Sequence, residues 1–255
     1  MNGTRPAPHS SGRRKAIGVA ETATGDTLAA LQAQAQERLL ACARLLEAGV
    51  HITDPATTYI EPGVSIGAGT EIRPNTTISG RTVIGAGCTI GPNTVISDSE
   101  IGESCAIVAS VIEGAVLANG VDVGPFSHLR PGSRLETGVH VGNFVEVKAA
   151  RLGRGTKVGH FSYVGDAEVG EEVNIGAGTV TCNYDGEKKN VTVIGDGAFV
   201  GSDTMLVAPV RLGRGARTGA GAVVTEDVPD GATVAGVPAR AIAGRARRQV
   251  RKQGG

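Results

Sequence analysis

From Ile60 onward an aliphatic residue returns every six positions: Ile60, Ile66, Ile72, Ile78, Ile84, Ile90 and Ile96 follow one another with Gly, Pro or Asn between them. A helix repeats its faces every ~3.6 residues, so it does not account for this period. The step shortens to five at Ile101, returns to six at Ile107 and shortens again at Ile112 and Leu117. Val123, Leu129, Leu135, Val141 and Val147 resume it. Leu152, Val158 and Val164 form a further run, Val169 and Ile175 another, and Ile194, Val200, Leu206 and Leu212 lie beyond a break. So short a repeat predicts an all-β solenoid, a parallel β-helix in which each hexapeptide makes one side of a triangular coil and points its aliphatic residue inward. Ile60–Val224, at roughly 18 residues per coil, gives about nine coils. The small residue after each aliphatic, as in Ile66-Gly67, Ile84-Gly85 and Val141-Gly142, allows a tight corner and close stacking because glycine has no Cβ. The same need explains 39 glycines in 255 residues. Aromatics at 3% and the absence of Trp cannot fill a broad globular core, whereas a thin aliphatic one suits the 40% apolar composition.

Outside the repeat, residues 1–25 read as a flexible arm of Gly, Pro and Ser, and residues 26–49 as a helix. Asp26 or Thr27 is the expected cap, Leu28, Leu31, Leu39, Leu40 and Leu46 recur at helical spacing, and Gly49 is the stop. The solenoid is assigned to residues 50–239. A basic tail at 240–255, with Arg240, Arg245, Arg247, Arg248, Arg251 and Lys252, reads as solvated. Lys+Arg and Asp+Glu both total 25, which gives no general attraction to nucleic acid or an anionic membrane. No apolar run spans a bilayer, the first twenty residues lack the core of a signal peptide, and Cys42, Cys88, Cys105 and Cys182 lack C-x-x-C spacing. The expectation is a soluble cytoplasmic protein with reduced thiols.

Polar residues that break the repeat cluster between Arg130 and Ser202. Arg130 and Lys148 lie one coil apart and should project from one side, either to hold a phosphate or to pair with acids such as Glu136 or Glu146. Spacing leaves both readings open. His160 is the candidate for proton transfer, against the plainer reading of a surface histidine. Thr181–Asn190 carries charge, an aromatic and a glycine but no inward aliphatic, and should protrude as a loop, functional or merely tolerated. Metal binding is not expected: His128, His140 and His160 are 12 and 20 residues apart, which puts the first two on different sides of the triangle.

Several ordered blocks carry a more specific likeness. Gly124-Pro125-Phe126-Ser127-His128-Leu129-Arg130-Pro131-Gly132, Val141-Gly142-Asn143-Phe144-Val145-Glu146-Val147-Lys148, Gly159-His160-Phe161-Ser162-Tyr163-Val164-Gly165-Asp166-Ala167-Glu168, Asn174–Gly186 and Val200-Gly201-Ser202-Asp203-Thr204 together resemble the acetyltransferase half of the bacterial bifunctional enzyme that makes UDP-N-acetylglucosamine. The resemblance covers roughly residues 40 to 230, and the helix ending near Gly49 is similar to the connector between that enzyme's halves. It implies a left-handed β-helix and a homotrimer with sites between subunits. It further implies that Arg130, Lys148, Tyr163 and Lys189 hold glucosamine-1-phosphate, that Asn174 contacts the sugar, and that His160 is the general base. Acetyl-CoA would meet Ala177, Asn183, Tyr184, Ser202 and Ala220. No metal is expected for the transfer.

Two departures stand beside these. No Gly-rich nucleotide-binding opening precedes the repeat, so uridyltransferase activity is not expected of this chain. Ala235-Gly236-Val237-Pro238-Ala239-Arg240 stands where the family has Ser-Arg before a proline region, so its coenzyme-binding arginine is missing, with Arg240 or the tail as replacements. The expected function is N-acetylation of glucosamine-1-phosphate for cell-envelope (peptidoglycan) precursors. A related transferase acting on another amino sugar or sugar nucleotide is the alternative, and a β-helix metalloenzyme or a non-catalytic scaffold is more remote.

Overall fold

The structure, a computed structural model, describes residues 25–242. The expected flexible arm and all of the basic tail beyond Ile242 lie outside the described residues. The chain falls into two compact units that part after Glu37, within the helix.

Helix α1 (Gly25–Glu47) starts one residue early, so Asp26 and Thr27 lie in its first turn rather than ahead of it. It stops where a glycine can take a positive φ. Gly49 has φ +84°, Val50 N–H donates to Leu45 O at 2.9 Å and Gly49 N–H to Leu46 O at 3.0 Å, which satisfies the last carbonyls in a Schellman motif. The leucines that carry the helical period do not form the buried face: Leu28, Leu31, Leu39, Leu40 and Leu46 are exposed. Cys42 and Leu45 instead pack onto the solenoid core, and burial pushes the Cys42 thiol above its ordinary range.

The solenoid has three parallel sheets, one per side of the coil. Sheet I holds 12 strands from His51–Ile52 to Arg240–Ala241, sheet II 10 from Tyr59–Ile60 to Val223–Val224, and sheet III 9 from Ser65–Ile66 to Val210–Leu212. The repeat thus runs about ten turns rather than nine, because Ile52 already fills an inward position before Ile60 and Val234 fills one after Val224. Strands are two to four residues long and pair in register, as in Leu129 opposite Val147 and Val123 opposite Val141. Their inward aliphatics are buried, and Ile72, Ile90, Ile112, Leu129, Val147 and Leu152 are 0% exposed. Among the described strands the hairpin Thr233–Ala235 with Arg240–Ala241 is antiparallel, as is the isolated bridge between Tyr184 and Lys189.

Two features the hexad does not announce complete the core. Buried Thr and Ser side chains span the gap between coils: Ser127 Oγ donates to Gly142 O at 2.6 Å and accepts from Val145 N–H at 3.0 Å. Thr181 and Thr218 take inward positions outright, their hydroxyls bonded to Gly165 and to Thr204 and Gly201. All four cysteines are free, Cys182 half-buried and the others buried.

Glycine is required where corners stack. A Cβ on Gly67 would stand 2.5 Å from Ala86 N and 2.7 Å from Gly85 C, distances real Cβ atoms do not adopt against backbone. Gly67→Ala should therefore cost about 2 kcal/mol or more, whereas Ser65→Ala, exposed on the same corner's strand, should stay within about 0.5 kcal/mol. Denaturant titration checks both, and equal midpoints would remove the steric account.

Candidate active site

Sheet II turns a polar face outward. His128, Glu146 and Tyr163 sit in register on successive strands, and Arg130 follows its strand one coil above Lys148, its N–H donating to Val147 O at 2.8 Å. Arg130 Nη1 donates to Glu146 Oε1 at 2.8 Å, so pairing with Glu146 does occur, and that contact holds the guanidinium above its ordinary range. Glu136 serves Arg151 instead. Lys148 is less well matched. Its Nζ lies 3.9 Å from Asp166 Oδ2, and it is held below the usual ammonium range first by the Lys189 ammonium against it and then by burial. Arg130, Lys148 and Lys189 meet Glu146 and Asp166 here, and Glu113, one coil before Arg130, also acts on the guanidinium.

Lys189 reaches this face because the coil is interrupted. A bond from Glu171 N–H to Asp196 spans 25 residues where Arg154 to Glu171, one coil earlier, spans 17. The insertion begins later than its composition suggests. Val180–Cys182 is still a strand, with Thr181 opposite Leu206, because a buried threonine bonded to Gly165 substitutes for the missing aliphatic. Beyond it the loop is fastened by its own residues. Asp185 Oδ1 accepts from Glu187 N–H at 2.9 Å and Lys188 N–H at 2.8 Å, its Oδ2 accepts from Asn190 Nδ2 at 2.7 Å, and Tyr184 bridges to Lys189.

Asn183 belongs to this cluster. It is 8% exposed, and its Nδ2 donates to Tyr163 Oη at 3.2 Å and Asp166 Oδ2 at 2.5 Å. The Tyr163 ring lies over Gly165, where a Cβ would stand 2.7 Å from Cε1. Glu146, Asp166 and Gly165 were not singled out by sequence reasoning as members of the site. Their signal is the coil spacing, which places each beside a residue that was.

A second group lines the corner between sheets I and II. Gly142-Asn143, Gly159-His160, Gly176-Ala177, Gly201-Ser202 and Gly219-Ala220 occupy this corner on successive coils, tied by Gly178 N–H to His160 O at 3.2 Å, Asp203 N–H to Ala177 O at 2.7 Å and Gly221 N–H to Ser202 O at 2.8 Å. His160 is exposed, and its Nδ1 bonds Asn143 Oδ1. One residue further on, Phe126, Phe144 and Phe161 stack with centroids 5.3 and 5.2 Å apart.

The expected residues therefore fall into two groups. Arg130, Lys148, Tyr163, Lys189 and Asn183 gather on and beyond sheet II, while His160, Ala177, Ser202 and Ala220 form the corner strip. Asn174 is on sheet I between Lys157 and Phe199, and Tyr184 is exposed on the loop, its hydroxyl donating to Gly186 O at 2.6 Å. Arg240 lies in the last strand, 3.7 Å from Glu226. His128 and His140 sit on different sheets, as their spacing implies, and among the described residues no group of three His, Cys, Asp or Glu is placed to hold a metal ion. Among them too, no helix is long and apolar enough to cross a membrane.

Residues 192–226 match the family described as bacterial transferase hexapeptide (six repeats). The chain is 53% identical over 206 residues to the bifunctional protein GlmU of Thermotoga petrophila, covering 81% of this chain and 46% of that one. It is 52% identical over 186 residues to that of Carboxydothermus hydrogenoformans, covering 73% and 42%. The chain thus spans about half the length of these relatives or less. Among solved structures it is similar to a Francisella novicida UDP-N-acetylglucosamine acyltransferase, at 18% identity and TM-score 0.45, over 75% of this chain and 68% of that one.

The loop's fastening has a pH signature. Its hydrogen bonds hold the Asp185 carboxyl at about 2, well below the usual carboxylate range, first through Lys188 N–H and then Glu187 N–H. A lowered carboxyl stabilises the folded form above its unfolded value and loses that contribution as pH falls through the folded one. Protection of the Glu187 and Lys188 amides from hydrogen exchange should persist to about pH 3, fade toward about pH 2, and be absent at all pH in Asp185→Ala. Equal protection in the variant would show that the carboxylate does not fasten the loop.

Proposed function

The chain matches the acetyltransferase half of the bifunctional GlmU proteins and carries the hexapeptide repeat of bacterial transferases, and from that premise we propose that it acetylates glucosamine-1-phosphate with acetyl-CoA. The observation that carries the acceptor is the meeting of Arg130, Lys148 and Lys189 on one face, where Lys189 is set directly against Lys148. A phosphate dianion suits these cations, with Tyr163 beside them for a further polar contact to the sugar phosphate. Asn174 is assigned to the sugar as well. Acetyl-CoA is assigned to the corner strip of Ala177, Ser202 and Ala220, whose small side chains let a ligand approach the backbone, with Asn183 and Tyr184 at its far side.

His160 Nε2 takes the proton from the sugar amine as the nitrogen attacks the thioester carbonyl. The C–N bond forms and the carbonyl oxygen gains negative charge. That charge is stabilised by N–H donors before the C–S bond breaks and the coenzyme A thiolate leaves with the proton. The product is N-acetylglucosamine-1-phosphate, the precursor of UDP-N-acetylglucosamine, and a cytoplasmic location, where acetyl-CoA and sugar phosphates are made, belongs to the same proposal.

Coenzyme A thiol release should be rapid with glucosamine-1-phosphate and near background with glucosamine, glucosamine-6-phosphate or no acceptor. His160→Ala should lower kcat by roughly 10²- to 10⁴-fold. Release with another amino sugar alone would change the acceptor, and near-normal turnover in His160→Ala would remove it as the base.

A homotrimer is part of the same proposal, and the phenylalanine ladder supports it. At this corner the turn position has positive φ, and other coils fill it with Asn75, Asn93, Ala109 and Asp203. Phe126, Phe144 and Phe161 adopt φ of +61°, +56° and +48° there while remaining 61%, 50% and 63% exposed. A bulky residue in that region costs about 1–2 kcal/mol, and apolar stacking left in water offsets little of it. Contact with a second copy of the chain removes the ladder from water. Phe144→Asp should shift the sedimenting species to smaller mass with the circular dichroism of the coil intact, and an unchanged species would put the interface elsewhere.

A further inference from the structure

Two of the described histidines bond carboxylates: His128 Nε2 lies 2.7 Å from Glu113 and His140 Nδ1 2.5 Å from Asp122. His160 does not. Its Nδ1 meets the side-chain oxygen of Asn143, a neutral amide, on the adjacent coil. The two residues are opposite one another in the ladder, and the rings that follow them, Phe144 and Phe161, stack at 5.2 Å and 7° and so hold the two corners in register. Pro125 precedes the pair in the strip and Ala177 follows it, and neither offers a polar side chain to His160. Asn143 is thus its only polar side-chain partner in the strip.

An amide oxygen accepts and cannot donate, so Nδ1 must carry the hydrogen. The Nε2 lone pair is then free and faces solvent. A carboxylate in the same place would fix the same tautomer but would also stabilise the imidazolium, whereas the neutral amide orients the ring without charging it. Resting on the acetyl-transfer reading, we propose that Asn143 is a positioning residue that keeps His160 in the Nδ1–H tautomer, with Nε2 ready to take the proton of the acceptor amine.

The test combines ¹⁵N spectra of histidine-labelled protein, which report the tautomer without substrate, with steady-state kinetics on the same samples. Wild type should show His160 as Nδ1–H. Asn143→Ala should show a mixed or Nε2–H ring and lose roughly 10- to 100-fold in kcat, with both KM values unchanged within about 2-fold. Asn143→Asp, which keeps an acceptor, should restore the Nδ1–H signal and much of kcat while moving the acid limb of the kcat profile upward by about one pH unit. An Nε2–H ring in wild type, or an unchanged tautomer and kcat in Asn143→Ala, overturns the proposal. If wild type is silent in thiol release but shows Nδ1–H, the geometry stands and only the acetyl-transfer reading falls.

Discussion

Everything in this molecule follows from stacking coils in register at backbone distance. A coil of short strands buries nothing by itself. It is stable only because the aliphatic residue on each side meets the equivalent residue of the coils before and after it. That contact requires the corners to close up as well, and at Gly67 and Gly85 they close against backbone where a Cβ would stand under 3 Å away. The glycines and the aliphatic column are two halves of one steric condition.

The same condition makes chemistry out of spacing. Residues 17 or 18 positions apart become neighbours, so Arg130 and Lys148, or Asn143 and His160, are brought together by the ladder rather than by a fold of the chain. A rigid stack cannot easily bring in residues from elsewhere in sequence. The loop that interrupts the period after Cys182 delivers Lys189 against Lys148, and it does so with a turn fastened by Asp185 and with Asn183 bonded to Tyr163 and Asp166 of the scaffold.

This explains what could be read from the sequence. The β-helix, its corner glycines, the stop at Gly49 and the stacking of Arg130 over Lys148 all follow from period and spacing. Thr181 escaped because a threonine substitutes for an aliphatic only when its hydroxyl is satisfied inside the coil, here by Gly165, and that bond is visible only in three dimensions. The leucines of α1 have the helical period, yet Cys42 and Leu45 pack on the core, since periodicity fixes a stripe but not which side meets the coil. Asn183 stands 17 residues, one coil, after Asp166, so that partner was open to spacing, whereas its contact with Tyr163, 20 residues back, was not.

The charges around Arg130, Lys148 and Lys189 are arranged to receive an anion. The pair between Arg130 and Glu146 is half exposed, and pairs of that kind are screened and contribute little, so an arriving anion displaces the carboxylate at small cost. Lys148 is different: it is largely covered, Asp166 stands at 3.9 Å, and Lys189 is pressed against it. The repulsion between the two ammonium groups is held in place by the loop fastening and is relieved only by added negative charge between them. A dianion seated there would raise the proton affinity of Lys148 back toward its ordinary value, so phosphate binding and protonation of this lysine are linked. The free site therefore retains an unfavourable charge arrangement, and under the proposed activity relief of that arrangement would favour an acceptor carrying a phosphate over the bare amino sugar.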